Sequence, residues 1–138
     1  MEACMTISFS EKRFEDNPSI KGREERFTII IAKVDLILAS WRNSLFAHEW
    51  MNGDGSLKAA KAMSVPLQKK RMDTERLIAS DTPLPRPVLG IGIADNVEIG
   101  SGRDLFLTLA AQGVKDIPVH IPKSNLTEFR MFSSSHSF

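Results

Sequence analysis

The chain holds a single cysteine, Cys4, among its 138 residues. One thiol cannot make a disulfide framework or a multi-cysteine zinc site within one chain, and its scarcity fits a reducing compartment. An excess of one charge is lacking too. There are 18 basic and 17 acidic residues, a formal net charge of +1. No global field therefore draws the chain to nucleic acid, and any such contact must come from a local patch. Long apolar runs are absent. The longest, Phe27–Trp41, is interrupted by Lys33 and Asp35 and is too short to cross a bilayer. The first residues lack the basic-then-apolar order of a secretory signal. No Gly-Lys-Ser/Thr follows the glycines, which excludes a Walker A box, and His48-Glu49 lacks the x-x-His that a zincin needs. These absences lead us to expect a cytoplasmic protein without a membrane span.

Hydrophobic residues make up 42% of the chain, enough for the core of one small domain. We expect an irregular arm over 1–22, with a short strand at Thr6–Phe9, a single domain over 23–122, and a frayed tail over 123–138 that ends in Ser-Ser-Ser-His-Ser-Phe. The β-branched density of Phe27–Ile37 predicts a strand, with a helix as the competing reading. Asn52-Gly53-Asp54-Gly55 is a turn signal. Ser56–Ala62 reads as a short helix capped by Ser56 and interrupted at Pro66. Gln68–Ser80 carries helical charge spacing, with Lys69 facing Asp73. Beyond the proline-rich connector 81–87, strands are predicted at Val88–Ile93, Val97–Ile99 and Ile117–Ile121. Between the last two, a helix runs from Arg103 to Gln112, with Ser101 as N-cap and Gly113 as C-cap.

The segment Pro87–Pro122 carries the chemistry. A strand, a Gly-Ser-Gly turn opening a helix, and a second strand place backbone N–H groups at a helix N-terminus, where anions bind. Gly100, Ser101 and Gly102 let a phosphate approach, and Arg103 can clamp it with two parallel hydrogen bonds. Asp104 can hold magnesium or complement the helix dipole. Asp95 and Glu98 flank the preceding turn and can share a divalent cation, or can be solvated turn residues. Lys69, Lys70, Arg71 and Arg76 form the densest basic cluster, which reads as a phosphate-contacting surface or a solvated helix face. Trp41 and Trp50 suit either base stacking or the core. His48 and Glu49 suit general-base chemistry or a structural role, and His120 is a core or surface residue.

The order Val97-Glu98-Ile99-Gly100-Ser101-Gly102, then Asp104–Gln112, Gly113 and Ile117-Pro118-Val119, resembles the ParB/sulfiredoxin superfamily. Upstream, Pro66-Leu67-Gln68 with Arg71, Arg76–Ser80 and Pro87-Val88 extend the likeness over about half the chain, roughly 65–122. The resemblance implies an α/β (α+β) fold, a small mixed sheet with surrounding helices. Where the partition proteins carry Glu-Arg-Arg after the glycine, this chain has Arg103, Asp104 and Leu105. Where sulfiredoxins carry their reactive cysteine it has Arg103, which argues against sulfinic-acid reduction. We therefore do not expect a complete partition protein with a helix-turn-helix domain after Pro122. Val34–Trp50 and Pro87–Arg103 are similar to a small stand-alone branch, the Osa-type (oncogenic-suppression) fertility-inhibition proteins of conjugative plasmids. That branch implies a bacterial protein that binds nucleotide, ATP or another, and DNA, and that blocks conjugative or T-DNA transfer as a nucleotide-dependent DNase. In that scheme Gly100–Gly102 and Arg103 hold phosphate. Glu98 and Asp104, with Asp95, hold Mg2+ and polarise water, and Lys69–Arg71 with Arg76 steer DNA. The alternative is a non-catalytic protein that binds a transfer or secretion component, and is membrane-associated through that partner, by an apolar surface such as Phe129–Phe132.

Overall fold

The computed structural model describes residues 13–133. The strand expected at Thr6–Phe9 lies outside the described residues. Helices and strands are mixed along the chain: β1 (Phe14–Glu15), β2 (Phe27–Lys33), α1 (Val34–Trp41), α2 (Val65–Ala79), β3 (Leu84–Pro85), β4 (Leu89–Ile91), β5 (Val97–Ile99), α3 (Arg103–Ala111), β6 (Asp116–Pro122) and α4 (Leu126–Phe129).

The longest ladder is antiparallel. It pairs β2 with β6 from Phe27 opposite Pro122 to Lys33 opposite Asp116. A hairpin pairs β4 with β5, and β1 runs parallel to β3. A parallel bridge between Val88 and His120 ties the hairpin to the ladder, with the His120 N–H donating to the Pro87 carbonyl at 2.9 Å. The described strands thus form three two-stranded sheets, one parallel and two antiparallel, rather than the single small mixed sheet expected.

The strand expected over Phe27–Ile37 stops at Lys33, and the remainder is the start of α1. The apolar period decides it. Val34, Ile37 and Trp41 fall on one helical stripe and are at most 5% exposed. The Val34 N–H is held by the Lys115 carbonyl at 2.9 Å, which fixes where the strand turns into the helix. Pro66 does not interrupt a helix. It occupies the first turn of α2, where its missing N–H has no partner to lose, so the helix begins at Val65 rather than Gln68. Ser56 caps no helix. Its N–H and hydroxyl both bind Asp54 Oδ1, at 2.9 and 2.6 Å, and hold that carboxyl below the usual carboxylate range. Leu57 then bridges back to Met51, and only Ala60–Ala62 makes a single helical turn. The strand expected over Val88–Ile93 ends at Ile91, leaving Ile93 fully exposed.

The core is built from the inner residues Ile30, Ala32, Val119 and Ile121 of the long ladder. Against it pack Ile37 and Trp41 of α1, Trp50, and Phe106, Leu107 and Leu109 of α3. Both tryptophans are at most 1% exposed, so neither is available to stack on a base. The ends of the described chain are packed as well. Phe14, Asn17 and Ile20 are buried, although an irregular arm was expected there. Instead of fraying, 123–133 folds into successive helical turns, with Phe129 fully buried and edge-to-face on Phe132 at 6.0 Å. Of the apolar surface expected at Phe129–Phe132, Phe129 is core with Phe132 half-buried against it, and Met131 alone is an exposed apolar side chain, 71% accessible. No helix among the described residues is long and apolar enough to cross a membrane.

Candidate functional site

The expected strand–turn–helix is present. β5 delivers the chain to Gly100–Gly102, and α3 starts at Arg103. The N-cap is Gly102, not Ser101. Gly102 has φ +88°, in the left-handed region, and a Cβ there would lie 2.9 Å from Pro87 Cα, so both dihedral and space demand glycine. Ser101 leaves the capping position because its hydroxyl donates to Asn17 Oδ1 at 3.2 Å.

The N–H groups of the turn divide into two sets. Gly100 donates to the Val88 carbonyl at 2.8 Å and Arg103 to the Gly100 carbonyl at 3.1 Å. Those of Ser101, Gly102 and Asp104 make no hydrogen bond among the described residues. They stand where the α3 dipole adds about half a positive charge. The Arg103 side chain turns back across the turn. Its Nε donates to the Ile99 carbonyl at 3.0 Å, and its guanidinium lies 4.7 Å from the centre of the Phe46 ring. Its two Nη groups make no hydrogen bond among the described residues and remain able to meet an anion.

Glu98, one strand residue before the turn, is a tethered carboxylate. Ser44 Oγ donates to Oε1 at 2.7 Å, and Asn96 Nδ2 donates to Oε2 at 3.0 Å and to the Val97 carbonyl at 2.9 Å. Its stem lies over Gly92, where a Cβ would meet Glu98 Cγ at 2.8 Å. Lone pairs remain on both oxygens, enough for a cation that arrives with bound phosphate. Asp95 sits exposed in the hairpin turn with φ +63°. Among the described residues, no three histidine, cysteine, aspartate or glutamate side chains gather as a metal-binding group. A divalent ion at Glu98 would thus need ligands from its substrate.

The basic cluster on α2 is interleaved with acids. Lys69 pairs with Asp73 at 3.2 Å and Arg76 with the same carboxylate at 3.6 Å. Arg71 is packed inward, its side chain 13% exposed. It donates to the Lys58 carbonyl at 3.0 Å and lies 5.9 Å from the Trp50 ring centre, 3.6 Å from Glu75. Lys70 alone of the four has no such partner among the described residues. The acids spaced three and four residues from these cations, Asp73 and Glu75, support the helix and offset part of its positive charge.

Beside Ser44, a cleft of about 270 Å3 is lined by Arg42, Ser44, Ala47, His48, Met51 and Asn52. His48 is exposed, with Nδ1 2.9 Å from the Leu45 carbonyl. Ser44, Phe46, Asn96 and Asn17 are the site residues that sequence reasoning missed. Asn96 was read only as a turn residue, and no local signal ties Ser44 or Phe46 to a glycine turn more than 50 residues away. Comparison with family models, curated proteins and solved structures finds no match to this chain.

Proposed function

We propose that this protein binds nucleotide and DNA through a ParB/sulfiredoxin-like arrangement and suppresses conjugative or T-DNA transfer as a nucleotide-dependent DNase of the oncogenic-suppression kind. One observation carries the reading. Three uncommitted backbone N–H groups at Ser101, Gly102 and Asp104 stand beside the uncommitted Nη groups of Arg103, at the positive end of α3. This is the arrangement that phosphate recognition uses. Gly102 allows the close approach, and Arg103 supplies the fork. In this scheme magnesium is carried by the nucleotide phosphates and meets Glu98 and Asp104, with Asp95 at the turn. When bound, the ion would lower the pKa of its water and neutralise developing phosphate charge. Ser44 and Asn96 hold Glu98 in one orientation for that contact.

Purified protein incubated with labelled ATP, CTP and plasmid DNA, with magnesium or chelator, tests the reading. Arg103→Ala should abolish nucleotide binding while the fold, followed by circular dichroism, is retained. Nucleotide binding by Arg103→Ala equal to that of the parent protein sinks the assignment.

A second reading has its own observation. Leu45 is 86% exposed, Phe46 48% and Ile93 fully exposed. All three border the Glu98 tether, through Ser44 and Gly92, or the Arg103 guanidinium. A non-catalytic protein that docks a transfer or secretion component would use such a rim. Salt separates the two: DNA affinity falls steeply with ionic strength, and an apolar contact barely changes.

A further inference from the structure

We propose that the open end of the β2–β6 ladder is a groove for single-stranded nucleic acid, on residues separate from the glycine turn. The proposal rests on the DNA-binding reading above and gives that DNA a second surface, apart from the α2 cluster.

The groove holds about 510 Å3 and is lined by Arg23, Glu25, Arg26, Phe27, Pro122 and Lys123. Its three cations against one carboxylate leave a local surplus larger than the +1 of the entire chain. Arg26 and Lys123 are exposed and make no ion pair among the described residues, unlike Lys69, Arg71 and Arg76. Arg23 is tethered beside the ring: its Nη2 donates to the Ser19 carbonyl at 2.8 Å, and its guanidinium lies 5.7 Å from the Phe27 ring centre. The floor is rigid, because Phe27 and Pro122 oppose each other in the ladder. Ile29 lies two residues on along the same face and is 41% exposed, so it extends the apolar floor.

An aromatic ring under an arginine plate, bordered by free cations, is what an unpaired base and its flanking phosphates require. The base stacks on the plate, and the phosphates meet Arg26 and Lys123. A duplex keeps its base faces stacked inside and offers the plate nothing. An acidic peptide would pair with the cations and leave the ring and floor unused.

The test is fluorescence anisotropy on the full chain with a labelled oligothymidylate of about 20 nucleotides. Reversing both free cations, Arg26→Glu with Lys123→Glu, should weaken binding about tenfold or more. It should also flatten the slope of log K against log salt by about 1.4, at about 0.7 per lost phosphate contact. Phe27→Leu should weaken binding several-fold and leave the slope unchanged. The matched reversal Lys61→Glu with Lys115→Glu, on exposed lysines elsewhere, should stay within about twofold of the parent protein. Circular dichroism confirms that each variant is folded. The proposal is overturned if the Arg26/Lys123 variant binds like the parent, if the parent does not bind at low salt, or if duplex or polyglutamate competes as well as the oligothymidylate. The two readings fail separately. Loss of nucleotide binding in Arg103→Ala with unchanged oligothymidylate binding in the groove variant removes the groove alone. Loss of oligothymidylate binding in the groove variant, with a parent that neither binds nor turns over nucleotide, removes the glycine-turn reading alone.

Discussion

Replacing Gly102 by alanine is the sharpest test of how the turn is built. Two costs add. An L-residue at φ +88° pays about 1–2 kcal/mol for the left-handed conformation. The new Cβ would also lie 2.9 Å from Pro87 Cα and 3.2 Å from its Cβ, and backbone on that side cannot simply rotate away. Forced overpacking of this kind costs about 1–3 kcal/mol. Gly113 is the internal control. It has φ +90° but nothing within 4 Å of its would-be Cβ, so Gly113→Ala pays the conformational cost alone. Urea unfolding of both variants isolates the difference, expected at about 1–3 kcal/mol and seen as a lower midpoint at equal m-value. That is a sizeable part of the roughly 5–15 kcal/mol that holds a domain of this kind together. Equal destabilisation in the two variants would refute the claim that Pro87 closes over the turn. A larger loss in Gly113→Ala would refute it more strongly.

Two further outcomes follow from burial. Phe129→Ala should lose about 3–5 kcal/mol in thermal or urea unfolding, because the ring is fully buried against Phe132; a loss below about 1 kcal/mol would mean that 123–133 is not part of the fold. His120 is 2% exposed, and burial holds its imidazole below the usual 6.5, opposed by Asp16 and reinforced by Arg86. The unfolded chain therefore binds this proton more readily. Stability should be level above about 6.5 and fall as pH drops toward the folded value, and His120→Gln should remove that portion of the slope in urea midpoints measured against pH. An unchanged slope in the variant would assign it to other groups.

The parts of the fold legible in the sequence are those fixed by short-range chemistry. Val97–Ile99 and Ile117–Ile121 are β-branched runs between breakers, and both are strands. Gly113 has a left-handed φ just past the end of α3, although the helix stops at Ala111 and its C-cap is Gln112 rather than Gly113. The errors have distant causes. Ser101 has the right chemistry for a cap, but Asn17 takes its hydroxyl from 84 residues away. The boundary between β2 and α1 is set by the Lys115 carbonyl, which no window around Val34 contains. Lys69, Arg71 and Arg76 look like a basic patch in sequence, and the sequence does not show that Arg71 is packed inward or that Lys69 and Arg76 share Asp73. In the candidate site, the turn and Arg103 were legible because glycine and arginine mark it locally. Ser44 and Phe46 were not, since only tertiary packing brings their loop to β5 and α3.

Asn17 gathers four parts of the chain at one point. Its Oδ1 accepts from Ser19 N and Ser101 Oγ, its Nδ2 donates to the Arg86 carbonyl, and its backbone N–H donates to His120 Nε2. The last partner lies 103 residues downstream. During synthesis at about 5–20 residues per second, Asn17 must wait on the order of 5–20 s for it. Among the earliest residues described to leave the ribosome, it is therefore one of the last to find its place. For that interval the strap it anchors and the His120 face it covers remain open to whatever chaperone or neighbouring chain meets them first.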